Sequence, residues 1–194
     1  WIMDFGKTSK SMEDENRTRY FEVPGCQSQT WLVPHFIDDK IYFTADSAAL
    51  ISIGKEREEQ VYEINTLGTK NVINAAINNH VKKFIYISSI NAYNKFPLNQ
   101  SINEKNDLVE KGAAYDVSKS KAQQLVLKTN NIDTLVINPT AVIGPNDFKP
   151  SLLGSTILDY YHNKIPFILN GGLDIIDVRD LTNAVIKLIH LKKT

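Results

Sequence analysis

The chain has a single cysteine, Cys26, in 194 residues. One thiol cannot close an internal disulfide, which excludes a disulfide scaffold and fits a reducing, cytoplasmic setting. Net charge is absent as well: 22 basic residues balance 22 acidic ones. No excess of one sign is present to hold nucleic acid or an anionic membrane. No apolar run approaches the roughly 20 residues of a membrane span. The four histidines, His35, His80, His162 and His190, stand far apart and lack metal-ligand spacing, so no metal site is expected. The nine glycines nowhere form G-x-G-x-x-G or G-x-x-G-x-x-G. That pattern lets backbone amides and a helix N-terminus cradle a pyrophosphate. The remaining composition, 42% hydrophobic and 23% charged, is that of an ordinary globular domain.

Residues 1–39 carry no clear period. Lys7 to Arg19 is polar and reads as loop, Pro24-Gly25 as a turn, and Trp31-Leu32-Val33 before Pro34 as an edge strand. From residue 40 the pattern sharpens. Ile41 to Ala45 reads as a short buried strand, followed by a small-residue turn with Ala48 and Ala49. Lys55 to His80 reads as one long helix, with Val61, Ile64, Gly68, Val72, Ala75 and Ala76 as its apolar stripe. Gly68 in mid-helix implies close approach of a neighbouring element. Asn65 lies on or near that face, where its amide needs a partner. Lys83 to Ile87 reads as a parallel strand buried on both faces, ending at Ser88-Ser89. Residues 94–112 read as a loop over the site, residues 113–128 as a helix, and Leu135 to Ile137 as the next strand, ended by Asn138-Pro139. Beyond it come a turn at 144–147, a helix from Leu152 to His162, a short strand at 175–178, and a last helix capped by Asp180 and running to about Leu191. Strands alternating with helices predict a parallel sheet covered by helices.

The chemistry is carried by Tyr115 and Lys119. Four residues apart on a helix, they share a face. A free phenol, with a pKa near 10, is a poor base at neutral pH, and a neighbouring ammonium favours the phenolate. Such a pair can give or take a proton on a substrate hydroxyl or carbonyl. The equally simple alternative is a solvated helix face.

Several stretches favour the first alternative together. Asn65-Thr66-Leu67-Gly68-Thr69-Lys70-Asn71 resembles the N-x-x-G-T-x-N helix of the extended short-chain dehydrogenases/reductases. Phe84 to Tyr93, with Ser88-Ser89, is similar to their catalytic-serine segment, and Tyr115 to Lys119 to their Y-x-x-x-K motif. Asn138 to Pro145 and Asp177 to Asp180 also resemble family segments. The nearest branch is the NAD-dependent epimerase/dehydratase group, close to dihydroflavonol-reductase-like proteins.

The resemblance implies a Rossmann-like α/β fold with a parallel sheet and helices on both faces, its first βαβ unit absent or remodelled. Residues 1–39 would be an atypical N-terminal segment. Residues 40–194 would be a partial dinucleotide-binding domain with the start of a substrate region. The chain opens on Trp1 and stops at Thr194, so the expectation is a molecule incomplete at both ends.

The implied roles follow the matching positions. Tyr115 would be the general acid/base. Lys119 would lower its pKa and hold the nicotinamide ribose. Ser89 would hold the substrate oxygen, with Ser88 structural. Ala48, Ala49, Asn65, Asn138 and Pro139 would lie against NAD or NADP. The implied activity is hydride exchange at a carbinol or carbonyl carbon of a small molecule, most simply reduction of a ketone or aldehyde. Epimerase or dehydratase chemistry uses the same residues. A homodimer through the long helices is implied too. The alternative from a different class is a non-catalytic α/β scaffold that binds a nucleotide or a protein partner.

Overall fold

The computed structural model describes residues 11–13, 19–22, 31–37, 40–45, 58–96, 100–145, 147, 151–167 and 171–189, with backbone alone for the four N-terminal strands. The chain divides into two compact units, residues 1–138 and 139–194.

In the first unit the described strands form a sheet in sequence order: β1 (Ser11–Glu13), β2 (Arg19–Glu22), β3 (Trp31–Ile37), β4 (Lys40–Ala45), β5 (Lys83–Ile87) and β6 (Asp133–Ile137). The first four pair antiparallel, whereas β4, β5 and β6 run parallel. Two expectations are corrected at once. The stretch Lys7 to Arg19, read as loop, contains β1 and the first residue of β2. The Trp31 strand is no edge: it runs through Pro34 and pairs with β2 on one side and β4 on the other. A proline lacks the N–H that a ladder uses, so it ends a strand only where that N–H is needed. The antiparallel β3 stands where the expectation was a first βαβ unit absent or remodelled. In the doubly wound order the flank of the fourth strand belongs to the first, parallel, glycine-loop strand. Here an antiparallel strand two residues upstream in sequence holds the flank of β4.

The parallel part is built as expected. α1 (Glu58–Tyr62), a π-helical turn (Glu63–Leu67) and α2 (Gly68–Asn78) connect β4 to β5, and α3 (Ala114–Leu127) connects β5 to β6. Ile73 and Ala76 of α2, Ala122 and Val126 of α3, and Phe84 and Tyr86 of β5 close one core with Val81 and Ile132. Phe84 and Tyr86 alternate with Ile85, which is also fully buried, so β5 has no wet face. At the start of the parallel pair, Lys83 and Asp133 face each other across the ladder, with Nζ 3.4 Å from the carboxylate.

The π turn changes which residues face the core. The buried positions are Val61, Asn65, Thr66, Thr69, Ile73 and Ala76; of the predicted stripe Val61 and Ala76 are buried, whereas Ile64, Gly68, Val72 and Ala75 are not. One extra residue in a turn rotates everything after it by about 100°. The stripe therefore slips by one position after Val61. The same slip corrects the reading of Gly68. A Cβ there would meet nothing closer than the Glu63 carbonyl oxygen at 3.9 Å, so no element presses on it among the described residues. α2 then ends in a Schellman motif: the His80 amide donates to Ile77 O and that of Val81 to Ala76 O, with His80 left-handed at φ 55°.

In the second unit β7 (Ala141–Ile143) pairs parallel with β8 (Ile175–Asp177). α4 (Leu152–Tyr161) is capped by Ser151, whose hydroxyl accepts from the Gly154 amide at 3.1 Å and donates to Asp147 at 2.9 Å. α5 (Val178–Ile189) begins three residues earlier than a helix capped by Asp180 would. The turn into it is held by Asp177 rather than Asp180: the Asp177 carboxylate accepts from the Arg179 amide at 2.8 Å and from its guanidinium at 2.8 and 2.6 Å. Asp180 lies inside the first helical turn.

Candidate active site

β5 delivers the chain to the carboxyl edge of the parallel strands, the edge at which open α/β sheets bind ligands. The Ser88 amide still donates to Ile137 O of β6 at 2.7 Å. Ser89 is extended, and its hydroxyl accepts from the Asn91 amide at 3.2 Å, capping a single 3₁₀ turn (Ile90–Ala92). That cap fixes where the Ser89 oxygen sits.

α3 brings the other two predicted residues to this place. Tyr115 lies in its first turn, half-buried, with its phenol close enough to the Ser89 side chain for Ser89 to influence its titration. Lys119, one turn on, is 1% exposed. Its Nζ donates to Ile87 O, the last carbonyl of β5, at 3.0 Å, and lies 4.8 Å from the centre of the Tyr86 ring. Ser89, Tyr115 and Lys119 therefore converge on the end of β5. An aromatic face next to the ammonium offsets part of the cost of burying it.

The Tyr115 phenol is shifted upward, not downward as predicted. Burial is the largest cause, the Ser89 side chain works the other way, and the Asp116 charge adds to the rise. Desolvation penalises the phenolate more than the polar Ser89 side chain beside it stabilises it. Asp116 is itself paired with Lys95 at 3.3 Å. Burial likewise drives the Tyr86 phenol well above its ordinary value. Its hydroxyl lies by Thr69, but the Thr69 hydrogen goes to the Asn65 carbonyl at 2.8 Å, and no described group meets Tyr86 at hydrogen-bond geometry.

Behind these residues lies a buried polar cluster. Gln123 is 1% exposed and takes hydrogen bonds from Ser88 Oγ and Asn138 Nδ2, both at 2.7 Å, while its own Nε2 donates to the Tyr93 hydroxyl at 3.1 Å. Asn138 Nδ2 also reaches Ser89 O at 2.9 Å.

A family model for the 3-beta hydroxysteroid dehydrogenase/isomerase family matches residues 36–165, well over half of the chain. The chain belongs to that family. It is thus an extended short-chain dehydrogenase/reductase, akin to the NAD-dependent epimerases and dehydratases. A second model, for an Fe-S metabolism associated domain, matches residues 1–55 and overlaps the first over 36–55. Sterol demethylase protein B of Methylococcus capsulatus is 29% identical over 80% of this chain and 47% of its own length. A Synechocystis protein named "Putative dihydroflavonol 4-reductase" is 35% identical over 69% of this chain and 40% of its own. Among solved structures, gox2253 superimposes with a TM-score of 0.69 at 27% identity, covering 76% of this chain and 46% of that one. RMD from Pseudomonas aeruginosa, complexed with NADPH, gives 0.56 at 26%, covering 68% and 50%. The chain spans about half the length, or less, of the curated relatives named here.

The predicted cofactor contacts distribute unevenly over this extended short-chain dehydrogenase/reductase. Asn65 is buried in the π turn, and its Nδ2 donates to Ser118 Oγ at 2.9 Å. Its amide therefore ties the long helix to α3. Asn138 stands at the end of β6, engaged with Gln123 and Ser89. Pro139 opens the second unit. Ala48 and Ala49 lie outside the described residues. Gln123 and Tyr93 were not singled out from the sequence as site residues. A signal existed for Gln123: it follows Tyr115 by eight positions and Lys119 by four, so it continues their helical face. Among the described residues no three His, Cys, Asp or Glu gather as a metal site, and no helix is long and apolar enough to cross a membrane.

Proposed function

We propose that this chain carries the acid/base half of an NAD(P)-dependent oxidoreductase that reduces a ketone or aldehyde, or oxidises the matching alcohol. One observation carries the proposal: Ser89, the Tyr115 phenol and the buried Lys119 one turn behind it are gathered at the end of a parallel strand, with Lys119 Nζ donating to Ile87 O, the last carbonyl of that strand. Two hydroxyls meeting there form a place for one substrate oxygen.

A nicotinamide end fits the residues present: a buried ammonium, a phenol and an amide side chain at the strand ends can hold a ribose and a carboxamide. A pyrophosphate cradle of the glycine-loop kind is absent from the sequence. Bound NADH or NADPH would supply the hydride. The chain's own residues handle the proton. Ser89 orients the carbonyl oxygen. Tyr115 gives its phenolic proton to that oxygen as the carbon accepts hydride, leaving the alcohol and a phenolate that solvent reprotonates. The upward shift of Tyr115 keeps the proton in place at neutral pH, which suits the reducing direction. Lys119 holds the ribose and offsets the phenolate charge as it forms. Residues 139–194 begin the substrate-binding region, and a homodimer through the 58–78 and 114–127 helices belongs to the same proposal.

Tyr115→Phe in a full-length form tests it. General acid–base catalysis contributes about 10²- to 10⁴-fold, so turnover should fall by that factor while the circular dichroism spectrum stays put. Undiminished turnover in a folded variant refutes the role. A non-catalytic nucleotide- or protein-binding scaffold is the second reading, favoured by the antiparallel β3 beside β4. It requires that no carbonyl substrate is turned over in the presence of NADH or NADPH.

A further inference from the structure

We propose that Gln123 is a positioning residue that sets the Ser89 hydroxyl against Tyr115. The inference rests on the function just proposed for those two side chains.

A carboxamide with 1% exposure is costly unless its polar atoms are engaged. Those of Gln123 are engaged with partners on both sides of Ser89. Oε1 accepts from Ser88, the residue before it. Nε2 donates to Tyr93, which follows the 3₁₀ turn that Ser89 caps. Oε1 also accepts from Asn138, whose same nitrogen donates to the Ser89 carbonyl itself. Three points around Ser89 are thus referred to one side chain on α3. That side chain sits two turns beyond Tyr115 and one beyond Lys119, on a single rigid helix. The Ser89–Tyr115 separation is therefore fixed from behind, through a frame that includes neither reacting hydroxyl. Gln123 touches no group that meets the substrate, so it acts only by placement.

The frame has a further property. Every partner of Gln123 can donate. Ser88 and Asn138 already do, and a tyrosine hydroxyl can turn from acceptor to donor. A carboxylate at 123 would keep all three bonds and add a buried negative charge two turns along α3 from Tyr115, whose titration already feels Asp116 and Tyr86; of these, Asp116 is paired with Lys95 and the Tyr86 ring lies under Lys119. A methionine would match the length and keep none.

The test uses Gln123→Met, Gln123→Glu and Tyr93→Phe in the full chain. The Tyr115 phenol is titrated by carbon NMR of labelled tyrosine, with its signal assigned from Tyr115→Phe. The Ser89 side chain holds the Tyr115 titration down, so displacing Ser89 moves it further up. Gln123→Met should show that upward shift. Where turnover is measurable, kcat should fall about 10- to 100-fold with KM changed less than about threefold, the mark of lost alignment rather than lost binding. Gln123→Glu should keep kcat within about threefold at its own optimum, with the Tyr115 limb of the pH profile moved to higher pH. Tyr93→Phe should shift Tyr115 in the same direction, by less. A folded Gln123→Met with an unmoved Tyr115 titration overturns the proposal, as does a Gln123→Glu as impaired as the methionine variant. Should Gln123→Met not fold, an unmoved Tyr115 in Tyr93→Phe overturns it equally. A parent that turns over no carbonyl refutes the proposed activity, whereas the titration still decides the role of Gln123.

Discussion

The tie between the π turn and α3 gives a prediction that needs no substrate. Asn65 and Ser118 are 4% and 2% exposed, with Asn65 Nδ2 donating to Ser118 Oγ at 2.9 Å. The Ser118 hydroxyl in turn donates to Tyr115 O at 2.8 Å, and Thr66 Oγ1 donates to Ser118 O at 3.1 Å. Ser118→Ala removes the acceptor and leaves the Asn65 amide one bond short inside a buried site. Leaving a buried donor unmatched costs about 1–3 kcal/mol, well above the net worth of an average hydrogen bond. For a chain of this length each kcal/mol is about 2–4 °C in Tm, so a loss of about 2 kcal/mol reads as about 4–8 °C. Asn65→Ala should cost a similar amount, partly offset by alanine's better helix propensity of about 0.6 kcal/mol. That propensity gain is the same with or without Ser118, so a double-mutant cycle cancels it. Once either partner is gone, removing the other breaks no further bond between them. The double variant should therefore be about 1 kcal/mol or more better than the sum of the singles. Urea unfolding followed by circular dichroism measures all four corners. Additivity within about 0.5 kcal/mol would mean the two side chains are not coupled, and the reasoning from the tie would fail.

Three other changes follow from local geometry. A Cβ on Gly144 would overlap the Val178 side chain and come within 3.1 Å of Val178 Cβ, so Gly144→Ala should destabilise by about 1–3 kcal/mol. Val178→Ala removes the colliding methyl, and the pair together should lose less than the sum in thermal melts. Gly68→Ala should instead raise stability by up to about 1 kcal/mol, because Gly68 has ordinary helical geometry at φ −55° and an added methyl meets only the Glu63 carbonyl at 3.9 Å. A fall in Tm would reveal a close neighbour. Hydrogen bonds from the Arg179 guanidinium and then from its backbone amide pull the Asp177 carboxyl from 3.8 to about 2. A depressed folded value stabilises the folded state above the ordinary carboxylate range, and that contribution is lost as pH falls from about 4 towards 2. Arg179→Met should move the Asp177 titration, followed by NMR, up towards 3.8 but not all the way, because the residue-179 amide still donates to the carboxylate.

Much of the architecture was legible because it is written in local periods. β5 reads as an unbroken apolar run and is buried on both faces. α3 reads as a helix, and the four-residue spacing of Tyr115 and Lys119 places both on its inner face. Ser89 was legible as the end of a strand, which chain direction alone puts at the ligand edge. These are properties of neighbours in sequence, and period and chain direction suffice to find them.

What the sequence left open depends on atoms far apart along the chain. Trp31–Ile37 was underrated because Pro34 argues against a strand, while a ladder with partners on both sides outweighs one missing donor. The buried stripe of the long helix slipped by one residue because a π turn, held where Asn65 and Thr66 bond to Ser118, inserts a rotation that no 3.6-residue wheel contains. The direction of the Tyr115 shift was decided by desolvation, which is a sum over every group packed around the ring. Gln123 gained its place from Ser88, Tyr93 and Asn138, which lie 35, 30 and 15 residues away. By itself the sequence determined which residues could do the chemistry. The tertiary structure decided which side chains hold them in place, because a buried amide is satisfied only by whatever the fold brings within hydrogen-bond reach.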